Sequence, residues 1–473
     1  MGVQMVAVTV PVRSTRAEPS ARRGLDVSLV YGLLAAGLVF TTALHAQVTP
    51  SFIAAQTSSL LETYKDLHAH PELSRHEQRT SAILAKGLRE AGYAVTEHVG
   101  RYPDGSQGFG VVGILKNGAG QMLLIRGDMD ALPIIEETGL PYASHVMSKN
   151  ASGQEVGVMH ACGHDVHTTV LLGTAKALAA TRDRWHGTVM IVGQPSEETV
   201  EGAKAMLADH LYERFGRPDK IIGLHDTHLM PAGSIGIVAG PQYASSTSVD
   251  VVIRGIGGHG SAPQYGRDPV TLAAYYITQI QTIVSREEDP RDPSVVTVGS
   301  IHGGTKRNII PDEVRLELTT RSFSDKSRQI IVDGLTQRAA GLTLAAQLPA
   351  EKAAVVTVLD NESTPVQYND PALSAQVHDV LVKTLGEKRV PAVESVLASE
   401  DVGVLGMSPD LKRNEIPVAY LRLGAMDPDK FAAAEAAGKH LPGAHTSRFE
   451  PLPQPTIETG VTAMTAVATA LLQ

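Results

Sequence analysis

Four clusters of side chains in this sequence bring together the donors that metal or proton-transfer chemistry needs. They are Asp128-Met-Asp130, His160-Ala-Cys162-Gly-His164-Asp165-Val-His167, Glu197-Glu198 and His225. Together they offer imidazole, thiolate and carboxylate, a mixture of soft and hard ligands suited to zinc, manganese or a similar divalent ion. Each cluster also has a plainer meaning. Cys162 near a helix N-terminus and a histidine would have a lowered pKa, which suits a ligand and a nucleophile equally. A Glu-Glu pair is ordinarily solvated, Asp128-x-Asp130 fits a helix cap, and His225 fits a satisfied core histidine. All the plain meanings must hold at once for there to be no site, whereas a single metal centre accounts for every cluster. Adjacent residues at a strand end point in different directions. One of Glu197 and Glu198 can therefore bind metal while the other faces a substrate as a base.

The elements around these clusters explain how they could converge. Apolar runs Met122–Ile125, Thr188–Val192 and Lys220–Ile222 read as buried strands, each running into one of the clusters. Three- and four-residue apolar spacings predict helix between Thr49 and Gly92 and again over 165–180. Buried strands alternating with helices predict an α/β fold, a mainly parallel sheet covered by helices. In such sheets ligands gather past the carboxyl ends of the strands, where Asp128/Asp130, Glu197/Glu198 and His225 fall. From about Ser245 the texture changes. Ser248–Ile253, Val296–Ile301 and Glu313–Leu318 alternate as half-exposed strands, with helical stretches at Pro269–Glu287 and Ser327–Gly341. That order predicts a smaller inserted α+β, ferredoxin-like unit. The expected organisation is a leader at 1–46, a catalytic domain over 47–246 and 363–473, and an inserted lid or dimerisation domain over 247–362.

The leader reading rests on Arg13, Arg16, Arg22 and Arg23, an uncharged apolar run from Val27 to Leu44, and small residues at Ala43 and Ala46. Basic, apolar, small is the order of a secretory signal, so an exported protein, periplasmic or secreted, is expected; an uncleaved membrane anchor is the alternative. The single cysteine excludes an internal disulfide. A net charge of −9, 4% aromatic residues and the lack of a basic run argue against nucleic acid as a partner. The composition of 43% hydrophobic and 19% charged residues is ordinary for a soluble globular chain.

The motifs together resemble the M20 metallopeptidases, specifically the amidohydrolase branch of auxin-conjugate hydrolases, hippurate hydrolases and N-acyl amino acid deacylases. The resemblance starts near residue 52 with Leu67-His-Ala-His-Pro-Glu-Leu73 and runs through Gly127-Asp-Met-Asp-Ala-Leu-Pro133 and Met159-His-Ala-Cys-Gly-His-Asp165. Gly193-Gln-Pro-Ser-Glu-Glu198, Gly257-Gly-His-Gly-Ser-Ala-Pro263, Asn308-Ile-Ile-Pro311, Ser399-Glu-Asp401 and His445 follow in order. It implies two divalent metal ions per subunit (manganese or zinc, with cobalt or nickel as alternatives) held by Cys162, His164, Glu198, His225 and His445. Nothing but the family pattern picks His445 over His440. It further implies Glu197 as the general base, with Asp130, Asp128 and Asp165 orienting the ligands, and His259, Asn308 and Arg321 contacting substrate. His259 would stabilise the oxyanion, reaching into the neighbouring subunit of a homodimer or higher homo-oligomer. Gln264, His228 and Val402 depart from the family pattern, and His228 is expected to line the rim. The expected reaction is hydrolysis of the amide of an N-acyl amino acid by a metal-activated water. The rivals are a dipeptidase, aminopeptidase or carboxypeptidase of the same clan, an inactive metal- or peptide-binding protein, and a hydrolase using Cys162 as nucleophile.

Overall fold

The computed structural model describes residues 50–150, 152–409 and 413–473; the expected leader at 1–46 lies outside them. The described residues begin with two helices, α1 (Pro50–Ala69) and α2 (Gln78–Glu90), in place of one continuous helical stretch. Pro71 lies in the break, lacking an N–H and forcing its predecessor out of the helical region. There follow β1 (Ala94–Arg101), β2 (Gln107–Asn117) and β3 (Met122–Asp128), then α3 (His164–Ala180), β4 (Gly187–Gln194), α4 (Gly202–Ala208) and β5 (Lys220–Pro231).

The inserted part runs β6 (Ser245–Arg254), α5 (Pro269–Thr282), β7 (Ser294–Gly303), β8 (Glu313–Ser322), α6 (Asp325–Ala345) and β9 (Val355–Thr364). The chain returns through α7 (Pro371–Leu385), β10 (Val418–Met426) and α8 (Pro453–Leu471).

The large sheet has the order β1-β2-β4-β3-β5-β10, closed by the two-residue strand Ile235–Gly236. Its heart, β4-β3-β5-β10, is parallel, and the edge pairings are antiparallel. The parallel strands are apolar on both faces because both are covered: every residue of β10 is buried. On one side α1, α3, α7 and α8 close a core that includes Leu60, Val170, Leu171, Val461 and Val467. On the other, α4 and the segment around Val404 and Leu405 pack on Leu124, Met190 and Val192. The β1–β2 hairpin left no alternating signal, because Gly108, Gly110 and Gly113 interrupt β2.

The second sheet, ordered β7-β8-β6-β9, is antiparallel throughout. Its alternation is the one expected: Val249, Val251 and Ile253 point inward with Leu316 and Leu318 to meet Tyr276, Ile280 and Leu335 on α5 and α6. Both helices start on side-chain caps. Asp268 accepts from the Val270 N–H ahead of Pro269, and Ser324 accepts from the Ser327 N–H. Among the described residues no helix is long and apolar enough to cross a membrane.

Candidate metal centre and cleft

The N-terminus of α3 delivers two imidazoles to one side. His164 and His167 are three residues apart, so they share a helix face, with ring centroids 5.2 Å apart. The chain enters this helix through Gly163 at φ +75°, and a Cβ there would lie 2.3 Å from Asp226 Oδ1. Both the backbone angle and the space require glycine. Gly163→Ala should therefore lower the thermal midpoint and push α3 away from β5, with cooperative metal binding lost in a titration followed by calorimetry. An unchanged midpoint and isotherm would mean that the close approach is unimportant.

His225 lies within β5, not beyond its end as expected for a strand over 220–222, because parallel pairing with β10 continues through Gly424 and Thr227. Its Nδ1 donates to the backbone carbonyl of Asp226 at 2.6 Å. A carbonyl only accepts, so Nδ1 carries the proton and Nε2 presents a lone pair. That Nε2 stands 3.4 Å from Cys162 Sγ. Cys162, His164 and His225 form one set with donor atoms mutually within 4.8 Å, and Cys162, Glu198 and His445 form another. The two sets meet at the thiol. His445 comes from far along the chain. It sits at φ +64°, its N–H donates to Ala161 O at 2.8 Å, and its Nε2 is 3.4 Å from Glu198 Oε2.

The carboxylates behind the donors are divided in their tasks. Asp130 accepts from the backbone N–H groups of Glu197 and Glu198, each at 3.0 Å, and from the Ser74 hydroxyl at 2.6 Å. Its Oδ1 is 3.3 Å from His164 Nδ1. One buried aspartate thus orients a ligand imidazole and both glutamates. Glu77 holds the same turn from outside, accepting from the Ser196 N–H at 2.8 Å while Ser196 adopts φ +53°. Asp165 does not orient a candidate ligand. Its side chain turns back to α1 and meets His68 Nδ1 at 2.7 Å, and His68 in turn meets Glu136.

Two further groups make contacts for which the sequence assigns them no role. His167 is wedged between Asp128, to which it hydrogen-bonds, and Asp226, 3.1 Å away. Its i+3 spacing from His164 was the available signal. Arg126, fully buried, reaches Asp128 Oδ2 at 2.6 Å and Gln194, Glu400 and Asp401 at 2.9 Å each. It thereby ties Ser399-Glu-Asp401 to the strand that ends in Asp128.

Electrostatically the centre is starved of positive charge. Burial first, and then Glu198 and Glu197, push the Cys162 thiol well up. Burial and the neighbouring carboxylates Glu400 and Glu198 raise Glu197. Burial raises Glu198 to about 8 in spite of His164. Burial alone would lower His164, but Asp128 and Asp130 outweigh it and hold it well above the usual histidine range. His164 Nε2 and Glu198 Oε1 are buried without a hydrogen-bond partner. Orphaned polar atoms, a thiol and clustered carboxylates fit divalent cations, which would favour the deprotonated form of every one of these donors.

Cys162, Glu197, Glu198, His225 and His445 border a cleft of about 960 Å³ whose lining includes Arg321 on β8. Arg321 Nη1 donates to Ser246 Oγ and Thr319 Oγ1 at 2.6 Å each. His228 lines the cleft as well. His259 and Asn308 do not border it within one chain. They sit on the exposed ribbon where Gly258–His259 pairs with Ile309–Ile310, and His259 Nδ1 accepts from the Ser261 N–H. Val402 is buried against Tyr243 and Tyr420, and Gln264 is exposed on a turn, so those two departures do not line the cleft.

Residues 124–436 match the model of peptidase family M20/M25/M40. Over 342 residues the chain is 36% identical to the hippurate hydrolase of Campylobacter jejuni, covering 71% of this chain and 82% of that one. It is 33% identical to an IAA-amino acid hydrolase of Arabidopsis thaliana over 72% of this chain and 73% of the relative. The crystal structure of a dinuclear metal binding peptidase of the M20 family from Bacillus subtilis superposes with a TM-score of 0.68 at 26% identity, covering 89% of this chain and all of that one. With the family pattern matched across most of the chain and its fold shared with a solved member, this protein belongs to peptidase family M20/M25/M40, in its amidohydrolase branch.

Proposed function

We propose that this chain is a metal-dependent amidohydrolase that cleaves the amide joining an acyl group to an amino acid with a free carboxylate. The observation that carries this reading is the position of Glu197. It stands beside two donor sets joined at Cys162, in a cleft that Arg321 also lines. Cys162, His164, His225, Glu198 and His445 would hold two ions, manganese or zinc. Such ions supply Lewis-acid polarisation of the amide carbonyl and a water acidified enough to attack it. Glu197 would take the proton of the attacking water on its carboxylate and pass it to the leaving nitrogen. Asp130 fixes the turn that carries Glu197 and Glu198 through their backbone N–H groups, and both carboxylates come within 4 Å of His164 Nε2. Arg321 pairs with the substrate carboxylate through a planar fork.

The relatives' substrates support this class, since hippurate and IAA-amino acids are both acyl groups in amide linkage to an amino acid. His259 and Asn308, exposed outside their own chain's cleft, serve the site of a neighbouring subunit in a homodimer. The basic, apolar and small leader pattern supports export. A panel of N-acyl amino acids and dipeptides, assayed by amino-acid release with manganese, zinc or cobalt, tests the reading. Cleavage of acyl conjugates is expected; cleavage confined to dipeptides would make the chain a peptidase instead.

A further inference from the structure

Two arginines are buried in the large sheet, and they differ in one respect. Arg126 is neutralised by Asp128, Glu400 and Asp401. Arg422, on β10, is only 6% exposed and forms no ion pair among the described residues. Its Nη2 donates to Thr227 Oγ1 at 2.9 Å, and its guanidinium carbon stands 5.1 Å from the centre of the Tyr243 ring. Its Nε and Nη1 are buried with no hydrogen-bond partner. A buried guanidinium with unmet donors is costly unless something anionic completes it. The direction it faces is fixed by the sheet. Arg422 is paired in register with His225 in the parallel ladder, so the two side chains leave the same face, and both line the cleft. Arg321 lines that cleft too.

We infer that Arg422 is a specificity residue that binds a second carboxylate of the substrate, so that the preferred substrates are dianionic N-acyl amino acids. This rests on the amidohydrolase reading above: one carboxylate, that of the amino acid, goes to Arg321, and the other goes to Arg422. The second carboxylate is carried either by the amino-acid side chain or by the acyl group. A carboxylate oxygen accepts a charge-assisted hydrogen bond from a guanidinium N–H, and Nε and Nη1, on separate edges of the group, are the donors left unmet. Tyr243 and Thr227 hold the fork in place before substrate arrives.

The test compares N-acetyl-L-glutamate with N-acetyl-L-glutamine, and N-succinylglycine with N-acetylglycine, using the metal-loaded enzyme and its Arg422→Met and Arg422→Lys variants. Wild type should favour at least one dianionic member of a pair in kcat/KM, and the pair that shows the preference locates the second carboxylate. Arg422→Met should reduce that ratio by about tenfold to a hundredfold, the usual loss for hydrogen bonds to a charged group; Arg422→Lys should recover part of it. Loss of both members of a pair in equal measure would mean a structural role and would overturn the inference, as would a wild-type ratio near one in both pairs. Binding of succinate, followed by calorimetry, separates this from the reading it rests on. If no N-acyl amino acid is cleaved but succinate binds wild type and not Arg422→Met, the anion site stands and the amidohydrolase reading fails. If acyl amino acids are cleaved and succinate binding is the same in both proteins, the anion site is the part that is wrong.

Discussion

Glu197→Gln should lower kcat by roughly a thousandfold or more, with two metal ions still bound per chain. The amide keeps the size and hydrogen-bonding length of the carboxylate but cannot take a proton. The backbone N–H of residue 197 would still donate to Asp130, because that contact does not involve the side chain. Glu198 would therefore stay where it is, 3.4 Å from His445. Metal content by elemental analysis distinguishes loss of a base from loss of a ligand. A variant that is inactive and also metal-poor would mean that Glu197 is a ligand, and a variant with near-wild-type kcat would remove it from the chemistry. The adjacent change, Glu198→Gln, is the natural control, since it should cost metal.

The second large effect concerns stability. Replacing Arg126 by Met would leave Asp128, Glu400 and Asp401 buried without their common cation. Breaking a buried pair in this way costs about 3–5 kcal/mol, a large part of the roughly 5–15 kcal/mol that keeps a domain folded. The thermal midpoint, followed by circular dichroism, should fall by roughly 5–10 °C. Arg126→Lys should fall between wild type and Met, because an ammonium keeps the charge but cannot reach as many acceptors. A midpoint unchanged in Arg126→Met would mean that the three acids are carried as neutral groups. Either way the variant speaks to the scaffold of the centre, since Asp128 also anchors His167 through a hydrogen bond.

Much of this could be read from the sequence, for a physical reason. Buried parallel strands are long apolar runs, and the chemistry sits next to them, so Asp128, Glu197 and Glu198 could be placed without coordinates. The alternating strands of the inserted part were equally plain, since one face of that sheet packs on α5 and α6 and the other does not. What failed were cases decided by tertiary pairing. The short run Lys220–Ile222 puts His225 past a strand end, because two apolar residues do not reveal that pairing with β10 carries the strand onward. Asp165 was expected to hold a ligand imidazole. One residue on from His164 along a helix is about 100° around the axis, which turns it towards His68.

His445 depends on a residue in the left-handed region and a hydrogen bond to Ala161, and no local pattern announces either. Arg126 and Arg422 illustrate the same limit more sharply. Both appear in the sequence as lone basic residues inside apolar strands. Only the coordinates show that one is matched by three acids and the other by none among the described residues.

The central claim is that hydrolysis belongs to metal ions held by Cys162, His164, His225, Glu198 and His445. It is tested most directly by stripping the protein with a chelator and titrating manganese back. Bound metal and amino-acid release from an N-acyl amino acid are followed in the same samples. Release should be absent in the stripped protein and should rise with metal to a plateau at two ions per chain. Hydrolysis that survives complete removal of metal would contradict the account and shift the chemistry to the thiol of Cys162.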